Sequence, residues 1–129
     1  MTLNPQVVTL IEKMKEANIQ PTFTMSPTDA RNQMDEMAKV RDKERTQVLS
    51  IEDFDIPGPA SNISIRLYRP LEANDKELPI WVYFHGGGHV IGSLDSHDEV
   101  VRAFCSGTNC IMASVDYRLA PEHIFPAAI

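Results

Sequence analysis

Trp81-Val82-Tyr83-Phe84-His85-Gly86-Gly87-Gly88 is the stretch that decides how this 129-residue chain folds. The run from Leu78 to Phe84 has no alternation and is rich in aromatic and branched side chains. That pattern suits a strand buried on both faces, as in a parallel sheet covered by helices. Three glycines straight after such a strand let the backbone turn sharply and approach a bound group closely. Their N–H groups, set at the strand's carboxyl end, can hold the oxyanion that develops during acyl transfer. The plain alternative is a tight turn, because glycine clusters are common punctuation.

Other uses of the glycines fail on spacing. Ile91 stands where a dinucleotide fingerprint needs its third glycine, and no Gly-Lys-Ser/Thr follows as a phosphate loop requires. His85 and His89 are four residues apart, a spacing that suits a metal on a helix. A Gly-Gly-Gly interior opposes that helix, so zinc is not expected there.

Toward the N-terminus the pattern is helical. Asn4 can cap a helix with Pro5 at its first position and Val7, Val8, Leu10, Ile11 and Met14 on one face. Gln20-Pro21 interrupts it, and Ser26-Pro27 opens a second helix, with Asp29 placed to complete a capping box. Ala30, Met34, Met37 and Ala38 form its narrow apolar stripe, and the rest through Arg45 is mostly charged. Residues 1–46 therefore read as a helical cap or lid segment.

From Gln47 the period changes, and residues 47–129 read as the first part of an α/β domain. Val48 to Ile51 is a short strand candidate, and Ile63 to Tyr68 alternates like a half-exposed strand. Glu72 to Glu77 is a polar loop. Ser96 with Glu99 reads as a capping box for a helix that buries Val100, Val101, Phe104 and Cys105 and ends at Gly107. Ile111 to Val115 is the next strand and delivers Asp116 at its end. Strand, strand, strand, helix, strand implies a mixed sheet whose later part is parallel.

Composition narrows the class. Hydrophobic residues at 43% and charged residues at 23% fit a folded domain rather than a disordered chain. The net charge of −6, with no dense Lys/Arg patch, argues against nucleic acid or an anionic membrane as partner. No apolar run approaches the roughly 20 residues of a membrane span, and the first residues lack a signal-peptide pattern. Cys105 and Cys110 lack a Cys-x-x-Cys spacing and read as reduced, partly buried thiols. A cytoplasmic protein is the expectation.

A second motif, Asp116-Tyr117-Arg118-Leu119-Ala120-Pro121-Glu122-His123, begins 31 residues after His85. Arg118 between Asp116 and Glu122 reads as a loop lock built from charge-assisted hydrogen bonds, not as chemistry. Together, His85-Gly86-Gly87-Gly88, Ile91-Gly92, Ser96-His97-Asp98 and this second motif closely resemble the hormone-sensitive lipase family of α/β-hydrolases, whose bacterial members are family IV carboxylesterases. The resemblance runs from about Leu78 to the end, and the N-terminal helices match the family's cap in character only. His89 replaces a common aromatic residue and Ile124 a usual proline.

The resemblance implies the α/β-hydrolase fold, a mostly parallel sheet, and a serine carboxylesterase mechanism on a small-molecule carboxylic ester. It implies no metal or organic cofactor. It makes Gly87 and Gly88 the oxyanion donors, with Gly86 and His85 supporting the loop. His123 belongs to the motif and is not the catalytic base. The cap would shape the substrate pockets, with Met14, Met25, Met34 and Met37 packing it or lining it. A homo-oligomer of the full-length protein is compatible with it. None of the eight serines has glycine two residues before and two after, so the nucleophile elbow is absent. The expectation is the N-terminal portion of a longer enzyme, cut before the elbow, lacking the Ser/Asp/His triad and inactive alone. The strand from Leu78 to Phe84 would then lack a neighbour and leave an aggregation-prone edge. The alternatives are a non-catalytic small-molecule-binding protein on the same scaffold, as in plant gibberellin receptors, or a truncated remnant without function.

Overall fold

The strand with the most continuous burial is β4 (Ile111–Asp116), where Ile111, Met112, Ser114 and Val115 are all buried. It is central in a four-stranded sheet of order β1-β2-β4-β3, described by a computed structural model over residues 2–41, 44–73 and 77–129. β2 (Ile63–Arg69) runs antiparallel to β4 and to β1 (Ser50–Ile56), whereas β3 (Ile80–Phe84) runs parallel to β4. The parallel pair is bridged by α3 (Asp98–Thr108), so the expected mixed sheet with a parallel later part is present.

α3 packs Val101 and Cys105 against Tyr68 of β2 and Met112 of β4, with Val48, Ile51 and Tyr83 around them. Both cysteines are free and buried. Residues 98, 101 and 105 face the sheet at helical spacing. Phe104, expected to be buried, falls off that stripe and stays 44% exposed, leaning on Tyr83 at 6.2 Å.

The largest departures from the expected element boundaries are in β1 and at the two ends of α3. β1 runs Ser50–Ile56, not 48–51, because the edge position tolerates its acids. Asp53 lies opposite Arg66 and accepts from it at 2.7 and 2.8 Å, and Asp55 accepts from Ser64 at 2.6 Å. At the start of α3 the cap is His97, without a side-chain bond. Ser96 instead accepts from the Ser93 N–H at 2.8 Å, and Glu99 reaches away to Thr46, on its N–H at 2.9 Å and its hydroxyl at 2.6 Å. The helix ends beyond Gly107, at Asn109, which adopts the left-handed φ of +52° that closes a helix.

β3 is the outer strand on the β4 side of the sheet, opposite β1. Ile80, Trp81, Val82 and Phe84 are each at least half exposed, so the double burial expected of this run is not realised, whereas the open edge is. Burial depends on neighbours, and β3 has one only on its β4 side.

Ahead of the sheet, α1 (Pro5–Glu16) is capped as expected, the Asn4 side chain accepting from the Gln6 N–H at 2.9 Å. Its apolar face buries nothing among the described residues, with Val7, Val8, Leu10, Ile11 and Met14 all more than a third exposed. α2 (Pro27–Arg41) starts where Ser26 accepts from the Asp29 N–H at 3.1 Å, while the Asp29 carboxylate takes the Ser26 hydroxyl. Of its stripe, Ala30 and Ala38 are buried and Met37 is not. Parts of the expected helix to Arg45 and of the 72–77 loop fall on 42–43 and 74–76, outside the described residues.

Candidate active site

The glycine loop leaves the carboxyl end of β3 and is caged from both sides. Gly87 and Gly88 take φ of +131° and +62°, conformations that L side chains rarely adopt. A Cβ on Gly87 would overlap the Ile91 carbonyl, so the close approach also demands glycine there. The Gly87 carbonyl accepts from the N–H groups of Val90 and Ile91, both at 3.1 Å. The Gly87 and Gly88 N–H groups donate to no acceptor among the described residues. Gly87 and Gly88 line a cavity of about 240 Å³ whose walls also include Phe84, His85, His89, Tyr117 and Ala128.

His85 is 3% exposed, its ring packed between aromatic neighbours at the cavity wall. It stacks on Tyr117 at 4.4 Å and on His97 at 5.2 Å, and its Nδ1 donates to the Gly86 carbonyl at 2.9 Å. Gly92 is glycine for the same reason, since a Cβ there would strike the His85 ring and the Gly86 carbonyl. The Tyr117 hydroxyl donates to the His85 carbonyl at 2.6 Å, fixing the loop's first peptide. Burial pushes the Tyr117 hydroxyl above the usual phenol range and holds the His97 ring below the usual imidazole range, with His85 adding repulsion.

The second motif is tied to the loop by a residue that sequence reading overlooked. Arg118 bonds neither Asp116 nor Glu122 among the described residues, so the expected internal lock is wrong. Glu122 pairs instead with Arg31 of α2, through two bonds of 2.9 and 2.8 Å. That pairing holds the Glu122 carboxyl down to about 2. Arg31 also donates to the carbonyls of Val90 and Ala120, at 2.7 and 2.8 Å. No local signal marks it, because 91 residues separate it from Glu122. His123 sits on the surface, its N–H donating to the Leu119 carbonyl at 3.0 Å.

A second unanticipated cluster surrounds Asp98, 1% exposed at the start of α3. Its carboxylate accepts from Arg45 at 2.8 Å, Arg102 at 2.7 Å and Tyr68 at 2.9 Å. It anchors the segment before β1 and β2 itself to the helix that follows the glycine loop. No group of His, Cys, Asp and Glu among the described residues is arranged to hold a metal ion.

A parallel strand pair joined by a helix, with a glycine turn at the carboxyl end of its first strand and antiparallel strands on the far side, defines the opening of an α/β-hydrolase sheet. The comparisons agree. A family of alpha/beta hydrolase fold matches residues 81–129. Esterase LipI of Mycobacterium tuberculosis is 48% identical over 95 residues, which cover 70% of this chain and 30% of that protein. An arylesterase of Saccharolobus solfataricus is 31% identical across the whole chain, which covers 41% of it. Among solved structures, an esterase of the archaeon Pyrobaculum calidifontis superposes with a TM-score of 0.87 at 37% identity, over 99% of this chain and 40% of that one. An ester hydrolase from the metagenome of Lake Arreo gives 0.89 at 36% identity, over 98% and 41%. The chain thus spans well under half the length of these relatives. It belongs to the hormone-sensitive lipase family of α/β-hydrolases. Among the described residues, no helix is long and apolar enough to cross a membrane.

Proposed function

We propose that this chain supplies the oxyanion hole of a serine carboxylesterase. In this reading Gly87 and Gly88 donate their N–H groups to the tetrahedral oxyanion, while Gly86 and His85 hold the loop in shape. The observation that carries it is that Gly87 and Gly88, whose N–H groups donate to no acceptor among the described residues, line a cavity at the carboxyl end of β3. Fixed donors stabilise charge where it develops and need no reorganisation during reaction, worth about 3 kcal/mol for each donor. His85 acts as a brace, since its ring is buried and Nδ1 is committed to the Gly86 carbonyl.

The nucleophile, its base and the orienting acid are supplied by residues outside these 129, and the chain alone is inactive. Segment 1–46 serves as the cap over the site and 47–129 as the first part of the catalytic domain. The substrate is a small carboxylic ester handled in the cytoplasm without metal or organic cofactor, and nucleic acid is no partner. Kinship with named carboxylesterases and esterases supports ester chemistry. The test is p-nitrophenyl butyrate hydrolysis and labelling by a serine-directed fluorophosphonate with the full gene product. Turnover and labelling support the reading. A folded product that binds ester analogues yet neither turns over nor labels would make it a binding protein on this scaffold.

A further inference from the structure

We propose that Arg31 is a positioning residue of the glycine loop, making helix α2 a structural part of the site and not only its cover. The inference rests on the oxyanion-hole reading above for its functional meaning.

The three glycines cannot fix their own conformation by side-chain packing. Three consecutive glycines have no side chains to pack, and glycine loses more conformational freedom on ordering than any other residue. A pre-organised oxyanion hole must therefore be fixed through its flanks. The leading flank is held by Tyr117, whose hydroxyl donates to the His85 carbonyl. The trailing flank is held at two successive carbonyls. That of His89 accepts from the Ala120 N–H at 2.8 Å, and that of Val90 accepts from Arg31 Nε at 2.7 Å.

Arg31 couples these points. Its Nη2 donates to the Ala120 carbonyl at 2.8 Å, and Nη1 and Nη2 together grip both oxygens of Glu122. One planar guanidinium thus spans the end of the glycine loop and the second motif. It uses Nε and both Nη atoms, a geometry that a lysine ammonium cannot reproduce. Farther along α2, Asp35 accepts from the Ser93 hydroxyl at 2.8 Å, and Arg41 donates to the Ser96 carbonyl at 3.2 Å. The helix is laced by polar bonds along the chain that leaves the loop, with Arg31 at the end nearest the glycines.

The test uses the full gene product with Arg31→Lys and Glu122→Gln. Hydrogen exchange of peptides covering 86–92 and 111–116 is measured, together with kcat and KM for p-nitrophenyl butyrate. Losing charge-assisted bonds should speed exchange across 86–92 about tenfold in Arg31→Lys and leave 111–116 unchanged. In that variant kcat should fall with KM held within twofold. Glu122→Gln keeps the bonds to Val90 and Ala120, and it should speed the same peptide about threefold, which also serves if Arg31→Lys does not fold. Unchanged exchange in 86–92, or equal acceleration in 111–116, overturns the proposal. If exchange responds as expected but the wild type hydrolyses no ester, the esterase reading fails while the role of Arg31 in shaping the loop stands.

Discussion

Replacing Asp98 should test the framework behind the site most severely. Its carboxylate is 2% exposed and accepts from Arg45, Arg102 and Tyr68, with Arg66 a further 3.9 Å away. Arg45 is 44% exposed, so its bond is screened and adds at most about 1 kcal/mol. Arg102 at 16% exposure and the fully buried Tyr68 carry the rest. Removing one partner of such a group leaves buried donors without an acceptor, a loss of about 3–5 kcal/mol for Asp98→Ala. Asp98→Asn keeps the shape and one acceptor oxygen but turns a donor toward donors, which should cost about 2–3 kcal/mol. Against a total stability of about 5–15 kcal/mol, either change is large. Urea unfolding of the full gene product reads both, and a double-mutant cycle with Arg102→Met isolates that pair. An Asp98→Asn variant within about 0.5 kcal/mol of wild type would refute the assignment of Asp98 as an anchor, since that is the scatter of ordinary surface changes.

Gly87→Ala should abolish most ester turnover by the full gene product, because a Cβ there collides with the Ile91 carbonyl and moves the loop. Gly88→Ala meets no atom within 4 Å and bears only the strain of its φ, about 1–2 kcal/mol. Equal losses of activity would contradict this division. Acid should loosen the Arg31–Glu122 strap. The folded carboxyl is held at about 2, below its ordinary value of 4.5, so its stabilisation is complete above about 4.5 and disappears as pH falls through about 2. The protection of the 86–92 peptide, taken relative to the intrinsic exchange rate at each pH, should fall over that window in wild type and not in Glu122→Gln. The 129-residue chain should self-associate through the exposed β3 edge, and Val82→Lys should raise the monomer fraction in size-exclusion chromatography. A wild-type chain that is monomeric, with one sharp reversible transition, would sink that expectation.

What the sequence by itself determined is whatever is written in near neighbours along the chain. The alternation of Ile63 to Tyr68 marked β2, and the aromatic run before His85 marked β3. Asn4-Pro5 and Ser26-Pro27 marked two helix starts, and the glycines marked the turn after β3. These signals are local because a strand's period, a cap and a positive φ each involve only a few consecutive residues. Even locally, Glu99 misled, since a box-forming glutamate is equally able to reach another segment, here Thr46.

Only the tertiary structure decided which charges meet. Sequence proximity paired Glu122 with Arg118, four residues away, but the fold brings Arg31 there from helix α2. The same holds for Asp98, whose partners come from the segment before β1, from β2 and from its own helix. Burial of β3 was also beyond the sequence, because an apolar strand is covered only by the elements that pack beside it. Charged side chains are long and can pair in many directions, so their partners are chosen by how helices and strands pack, and no period in the chain encodes that choice.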